Sequence, residues 1–183
     1  ETTGLYSTDR VVEVAVVTLD SSGAIRDEFH SMLNPLRDPG PTWLHGLTAT
    51  MLRDAPLFDQ VAPHLAALLD GAVVAAHNLP FDRRLLSYEF SRTGIDIDWG
   101  HGLDTLPAAG GCKLGVACAE FGIDHEGAHS ALFDARATAR LLLEVADTFT
   151  ACSPTLAQPC DPTIPRVVTR DGFPIVTLER PYL

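Results

Sequence analysis

The sequence predicts an α/β domain followed by a tail, and the main evidence is a pattern that occurs twice. In each copy a histidine and a turn precede an aspartate at the start of a helical segment. The copies run from His77 to Asp82 and from His129 to Asp134. The first copy follows Ala72–Ala76, an all-apolar run that is typical of a strand buried on both faces of a parallel or mixed sheet. Sheets of this kind hold their ligands at the carboxyl ends of the strands.

The predicted elements before the first copy are a valine-rich strand, a hairpin loop, a returning strand, a proline-rich loop, a turn with a short helical segment, and a helix. They cover residues 10–19, 20–23, 24–34, 35–41, 42–48 and 55–70. Pro56 lies near the start of the predicted helix and Gly71 follows its end. These are the residue types that begin and end helices.

The predicted elements from the first copy onward are a helix, a last strand, a short helix and a long helix. They cover residues 80–92, 99–106, 113–121 and 134–149. We therefore predict one domain over residues 1–150. Residues 151–183 are predicted to form a proline-rich arm and a C-terminal β-like tail. We expect this tail on the surface or at a sheet edge, because Pro174 cannot donate to a central ladder.

Three carboxylates near element ends, together with a histidine, form the candidate site. Glu1 precedes a turn, Asp82 and Asp134 start helices, and His129 precedes the second helix. Taken alone, each aspartate is explained by the favourable charge at a helix start, and His129 is a loop histidine. The repetition of the pattern favours a functional role for these residues over the local explanations. Clustered carboxylates that hold two divalent ions, with a histidine nearby, are the groups used in phosphodiester hydrolysis.

The composition limits the partners of such a site. The net charge of −11 argues against extended duplex binding, because phosphate binding needs a basic surface. Bound cations relax this objection for a site that holds a few terminal nucleotides. A small basic patch is expected from Arg83, Arg84, Arg92 and Lys113. No apolar run is long enough to span a bilayer. The four cysteines lack a C-x-x-C pair, which argues against structural zinc and favours reduced thiols of a cytoplasmic protein.

The motifs resemble those of the DnaQ-like, or DEDDh, family of 3′–5′ exonucleases. Glu1-Thr-Thr-Gly-Leu5 is similar to the second half of the family motif Asp-x-Glu-Thr-Thr-Gly-Leu. His77-Asn78-x-x-Phe81-Asp82 and His129-x-Ala131-x-x-Asp134-Ala135 are similar to the second and third motifs, and His45-Gly46-Leu47-Thr48 matches a softer signature. The resemblance implies a ribonuclease H-like fold, with a mixed five-stranded sheet and helices on both faces. It also implies that the first strand, central to the sheet, lies upstream of Glu1 and carries an Asp two residues before it.

The resemblance also implies roles for individual residues. Glu1 and Asp134 are expected to be direct ligands of two Mg²⁺ or Mn²⁺ ions, Asp82 is expected to hold a metal-bound water or the second ion, and we expect the three carboxyl groups to converge. His129 is expected to act as the general base, because imidazole titrates near neutral pH. The residues expected to contact substrate are Thr2, Gly4, Leu5, His45, Asn78 and Phe81.

Other polar residues near the motifs are interpreted as structural. His77 is expected to cap a strand end, and Asp104 to satisfy backbone groups at another. The pair Arg83-Arg84 is interpreted as a solvated helix face, with a phosphate contact as the alternative. His125 is interpreted as a surface or satisfied residue.

We therefore predict a metal-dependent 3′–5′ exonuclease of the proofreading type that acts on single-stranded 3′ ends, with DNA favoured over RNA. Its direct partner is the 3′ end of a single-stranded nucleic acid. A DNA polymerase or clamp is a candidate partner by family analogy. Two alternatives stay open. One is a non-catalytic nucleic-acid or protein-binding module of the same fold, and the other is a ribonuclease that trims short oligoribonucleotides.

Overall fold

The computed structural model describes residues 1–20, 22–125 and 130–146, and the backbone of residues 175–176. The strands are β1 (Glu13–Leu19), β2 (Ile25–Met32), β3 (Ala75–Ala76), β4 (Leu103–Asp104) and β5 (Ile175–Val176). The helices are α1 (Thr42–His45), α2 (Ala49–Leu52), α3 (Phe58–Leu69), α4 (Leu79–Thr93), α5 (Thr105–Ala108), α6 (Leu114–Glu120) and α7 (Ala131–Glu144). No helix within these ranges combines the length and the apolar character needed to cross a membrane.

Strand β1 is buried along its whole length, and its alternating side chains face two layers of helices. Val14 and Val16 pack in a core cluster with residues of α3 and α4. Ala15 and Val17 pack in a second cluster with alanines of α7. Successive side chains of a strand point to opposite faces, so α4 and α7 cover opposite faces of the sheet. The expected helices on both faces are confirmed.

The side chains of β3 face the same two layers of helices as those of β1. Val74 and Ala76 belong to the cluster of α3 and α4, while Ala75 belongs to the cluster of α7. Strand β3 pairs with β4 in parallel and with β5 antiparallel, and β1 pairs antiparallel with β2. The described strands therefore form two hydrogen-bonded sets, β1-β2 and β4-β3-β5, where one continuous sheet of five was expected.

The dipeptide of β5 occupies the side of β3 that faces away from β4. In hydrogen-bonding order it is an end strand of its set. It also contacts β1 and α7, so it lies on the side of β3 toward β1, and the expected position on the surface or at a sheet edge is wrong for Ile175–Val176. The physical reason is that the buried backbone of β3 needs hydrogen-bond partners on both sides. The other residues of the arm and tail lie outside the described part of the chain.

Several element boundaries differ from the sequence expectation because capping residues set them. Helix α7 begins at Ala131 after Ser130, whose carbonyl accepts the N–H of Asp134 at 3.1 Å. Asp134 therefore lies inside the first turn. The short helix α5 was not predicted; the side chain of Asp104 caps it by accepting the N–H of Leu106.

One buried carboxylate ties the N-terminal segment to α4. Glu89 is 1% exposed and accepts hydrogen bonds from Nε of Arg10 and from the N–H of Val11, both at 2.8 Å. The guanidinium of Arg92 approaches the other oxygen of Glu89 at 3.3 Å. This cluster fixes the segment of the first motif against the helix that carries Asp82.

Candidate active site

Asp82 lies in the first turn of α4, just beyond the carboxyl end of β3. The turn between strand and helix places Asn78 in the left-handed region, with φ 84°. Pro80 stands in the first turn of the helix, where its missing N–H costs no helical hydrogen bond. Asp82 itself is fully buried. A buried carboxylate is stable only beside a cation or hydrogen-bond donors, so this position suits a metal ligand.

The histidine before Asp82 has a structural role. Nε2 of His77 lies 2.9 Å from the carbonyl oxygen of Cys112, and Nδ1 lies 3.0 Å from the hydroxyl of Thr105. Burial lowers the pKa of His77, which favours the neutral ring. The Nε2–H then donates to Cys112, and Nδ1 faces the hydroxyl of Thr105, which also lies 3.3 Å from the carbonyl oxygen of Ala76. The ring thus links the end of β3 to α5, in agreement with its interpretation as a structural residue.

Asp134 is held by His125, a histidine for which no functional role was predicted. Nε2 of His125 contacts Oδ1 of Asp134, and the two side chains are 14% and 6% exposed. His125 is a satisfied residue, as interpreted, but its partner is a candidate metal ligand. His129, the expected general base, lies outside the described residues, so its placement stays a prediction.

The first motif forms a turn that is held by side-chain hydrogen bonds. The hydroxyl of Thr3 donates to Oδ1 of Asp9 at 2.9 Å, and Thr2 forms an antiparallel bridge to the segment that enters β1. Gly4 is required by close approach, since an added Cβ would lie 2.5 Å from a carboxylate oxygen of Asp9. Leu5 projects from this turn and is 60% exposed. An exposed apolar side chain on a fixed turn is suited to pack against a nucleobase.

Two of the expected substrate residues are engaged within the protein. His45 is 4% exposed; its Nδ1 accepts the N–H of Leu47 at 3.0 Å, and its Nε2 lies 3.2 Å from the carbonyl of Pro39. Both ring nitrogens therefore organise their own loop. Phe81 is half-buried, and the guanidinium of Arg84 lies 5.4 Å from its ring centroid. The substrate roles of both residues stay predictions.

Asp104 satisfies backbone groups at the strand ends, as interpreted. Its Oδ1 accepts the N–H of Asn78 at 2.9 Å and that of Leu106 at 3.0 Å. The contact joins the end of β4 to the turn before α4. Asn78, expected to contact substrate, is thus fixed through its backbone.

The three expected metal ligands are buried, but the described part of the structure does not bring their side chains together. Glu1, Asp82 and Asp134 are 8%, 0% and 4% exposed, and carboxylate oxygens suit Mg²⁺ or Mn²⁺. Within the described ranges, no group of three or more His, Cys, Asp or Glu side chains is placed to hold a metal ion. Asp82 and Asp134 start helices on opposite faces of the sheet, and the resemblance implies an upstream strand, central to that sheet, with an Asp two residues before Glu1. The donor chemistry therefore fits a hard divalent cation, and the convergence stays a prediction.

Sequence reasoning missed the contacts that join distant segments. The pairing of His125 with Asp134 had no signal in the spacing. Glu89 had one. It stands among Leu85, Leu86 and Phe90, at the spacing of the buried side of α4, and a charged residue in that position needs a partner.

The chain is similar to proteins of known function. The family model RNase_T, described as Exonuclease, matches residues 1–142. DNA polymerase III subunit epsilon of Pasteurella multocida is 30% identical, over 93% of this chain and 74% of its own length. The epsilon subunit of Rickettsia conorii is 32% identical, over 79% of this chain and 70% of its own length. Among solved structures, Exonuclease X in complex with 5′ overhanging duplex DNA matches with a TM-score of 0.61 at 24% identity, over 81% of this chain and 89% of that chain.

The structural match confirms the ribonuclease H-like α/β fold expected from the motifs. The family match covers the motifs of Glu1, Asp82 and Asp134 in order. The chain therefore belongs to the DnaQ-like exonuclease family and is a 3′–5′ exonuclease.

Proposed function

We propose that this exonuclease removes nucleotides from single-stranded 3′ ends of DNA in a proofreading-type role. The support is the extent of the match, since relatives named as epsilon subunits of DNA polymerase III align along 74% and 70% of their own length. A structural neighbour of the same fold is titled as a complex with 5′ overhanging duplex DNA. A DNA polymerase is accordingly the proposed partner, and the cytoplasm is the proposed location.

The observation that carries the proposed site is the burial of two aspartates at helix starts. Asp82 and Asp134 lie in the first turns of α4 and α7 and are 0% and 4% exposed. The helix dipole favours a first-turn carboxylate by only about 0.3–1 kcal/mol and does not require its burial. Burial of a carboxylate is costly unless a cation or donors compensate it. We propose that cation binding compensates the burial at both positions, and that at Asp134 the cation takes the place of the His125 contact.

Glu1, Asp82 and Asp134 are the proposed ligands of two Mg²⁺ or Mn²⁺ ions, together with the Asp expected upstream. Bound there, such ions neutralise the phosphate charge and lower the pKa of a water molecule that attacks it. Asp134 must exchange its contact with His125 for the cation. This exchange is the rearrangement that the proposal requires of the described residues.

The chain's own side chains supply the remaining functions of the proposed site. His129 directly precedes Ser130, the N-cap of α7, in the sequence and is the proposed general base, which takes the proton of the attacking water. Asp134 lies in the first turn of α7 and is the proposed rigid ligand. Leu5 packs against the terminal base, and the hydrogen bond from Thr3 to Asp9 keeps its turn in place.

The substrate is tested with the full-length protein and 5′-labelled single-stranded DNA and RNA of identical sequence. We expect Mg²⁺-dependent shortening from the 3′ end, faster for DNA than for RNA, and none in EDTA. Faster degradation of the RNA would favour the oligoribonuclease alternative. Absence of 3′ shortening on both substrates would contradict the proposed function.

The residue roles are tested with two variants and a matched control. Asp134→Asn is expected to abolish degradation and weaken Mn²⁺ binding, as measured by calorimetry. His129→Ala is expected to lower turnover with less effect on Mn²⁺ affinity, because a base is not a ligand. Asp59→Asn, which changes an exposed first-turn aspartate of α3, is expected to alter neither quantity. Equal loss of Mn²⁺ binding in Asp134→Asn and His129→Ala would overturn the assignment.

A further inference from the structure

A basic cleft lies beside the first turn of α4. Its volume is about 400 Å³, and its lining includes Leu79, Arg83, Arg84, His101, Gly102 and Asp104. Three other cavities of the described part of the chain are lined by aspartates and contain no arginine. In a chain with a net charge of −11, this concentration of basic side chains is unusual.

The wall of the cleft is preformed. Nη2 of Arg83 donates to the carbonyls of Gly100 and His101, at 3.1 Å each. Gly102 passes so close to α4 that an added Cβ would lie 2.4 Å from Leu79 and 3.1 Å from Arg83. The loop between Trp99 and Gly102 is therefore fixed against the helix without any ligand.

Two arginines and one aspartate line the cleft, so its charged side chains sum to a positive charge. Neither Arg83 nor Arg84 forms an ion pair within the described residues, and the buried Nε of Arg83 has no hydrogen-bond partner there. Arg84 is exposed and stacks on Phe81, which orients its guanidinium. The one acidic lining residue, Asp104, uses its Oδ1 for the backbone N–H of Asn78 and of Leu106. An anion is the ligand that this arrangement fits.

The position of the cleft relates it to the candidate active site. It begins at the carboxyl ends of β3 and β4, which are parallel neighbours. Open α/β sheets hold ligands beyond this edge. Arg83 and Arg84 directly follow Asp82 in α4, so the cleft lies beside the helical turn that carries Asp82, and Asp82 itself is buried and does not line the cleft.

We propose that the cleft binds a backbone phosphate of the nucleic-acid strand, upstream of the 3′-terminal nucleotide, with Arg84 as the contacting residue. The inference rests on the proposed function, because it assumes that a strand end lies near Asp82. Arg83 acts as a positioning residue that holds the wall of the cleft. Because Arg84 is exposed, its replacement leaves the fold intact.

The first test is binding of fluorescein-labelled dT12 in EDTA, measured by anisotropy over a series of salt concentrations. Arg84→Gln is expected to weaken binding by roughly three- to tenfold and to reduce the slope of log K against log salt by about 0.7, the value for one phosphate contact to a single strand. Arg84→Lys is expected to restore the salt slope, because it keeps the charge. Arg140→Gln, the control on an exposed arginine of α7, is expected to match the wild type. Equal behaviour of Arg84→Gln and Arg140→Gln would overturn the proposal.

The second test separates the phosphate site from the chemistry. For dT12, Arg84→Gln is expected to raise KM and leave kcat unchanged. Hydrolysis of the p-nitrophenyl ester of thymidine 5′-monophosphate, which has no upstream phosphate, is expected to be unaffected. Inhibition by thymidine 5′-monophosphate is also expected to be unchanged, and weaker inhibition would show that the cleft takes the free nucleotide instead. If the wild type hydrolyses neither substrate, the proposed function fails, and the binding series in EDTA still decides the phosphate site.

Discussion

Replacement of Glu89 by Gln tests how the N-terminal segment is held against α4. The substitution keeps the size of the side chain and one acceptor oxygen but removes the charge and introduces an amide donor. The oxygens of Glu89 accept from Nε of Arg10 at 2.8 and 3.2 Å, and the N–H of Val11 donates to one of them at 2.8 Å. Arg92 adds an ion pair at 3.3 Å. Glu89 is 1% exposed, so water cannot replace these contacts.

The expected loss follows from these contacts. Hydrogen bonds to a charged group contribute about 1.5–3 kcal/mol, and removing one partner of a buried ion pair costs about 3–5 kcal/mol. Arg10 and Arg92 are 25% and 32% exposed and recover part of their hydration. We therefore expect Glu89→Gln to lower the free energy of unfolding by about 2–3 kcal/mol.

The assay is urea denaturation followed by circular dichroism, with activity on a 5′-labelled oligonucleotide measured in parallel. Glu120→Gln, an exposed glutamate at the end of α6, is the matched control and should change the free energy of unfolding by no more than about 0.5 kcal/mol. Activity of Glu89→Gln should fall as well, because the same contacts position the first motif. A loss of stability no larger than that of the control would refute this account of the buried cluster.

Three further predictions concern backbone, pH and thiol chemistry. Gly40→Ala should lower the free energy of unfolding by at least about 1 kcal/mol more than Gly71→Ala, as measured by urea denaturation. Both glycines have positive φ, which costs an alanine about 1–2 kcal/mol, but of the two only Gly40 would place a Cβ 2.2 Å from a backbone oxygen. Equal losses of unfolding free energy would contradict the close approach. Burial lowers the pKa of His77, so the unfolded chain binds this proton more readily than the folded protein does. The free energy of unfolding should therefore fall as the pH drops below about 6.5 and stay level above that pH. His77→Gln should flatten this slope, and an unchanged slope would assign it to other groups. Burial and then the charge of Asp134 raise the pKa of Cys118 to about 11. Iodoacetamide at pH 8 should therefore label the half-buried Cys112 before Cys118 in peptide mass spectrometry, and equal rates for these two cysteines would refute the burial of Cys118.

Local patterns in the sequence predicted the elements because their causes are local. Asp20 and Gly23 close the expected hairpin, and the N–H of Gly23 donates to the carbonyl of Asp20 at 2.9 Å. Gly94 ends α4 in the left-handed conformation, as its position after the apolar pattern indicated. Leu5 was expected to be available for substrate, and it is exposed.

The parts that could not be predicted depend on contacts between distant residues. Glu89 and Arg10 are 79 positions apart, so nothing in either local pattern names the partner. The contact of His125 with Asp134 depends on how the segment after α6 returns to α7. The pairing of β5 with β3 depends on unsatisfied backbone groups, which side-chain patterns do not report.

The central claim is that Glu1, Asp82 and Asp134 hold two divalent ions. Anomalous diffraction from crystals of the full-length protein, grown with Mn²⁺ and thymidine 5′-monophosphate, tests it most directly. We predict two peaks about 3.5–4 Å apart, with oxygens of Asp82 and Asp134 about 2.0–2.3 Å from a peak and Asp134 released from His125. Mn²⁺ bound only elsewhere, with Asp134 still paired to His125, would contradict the claim.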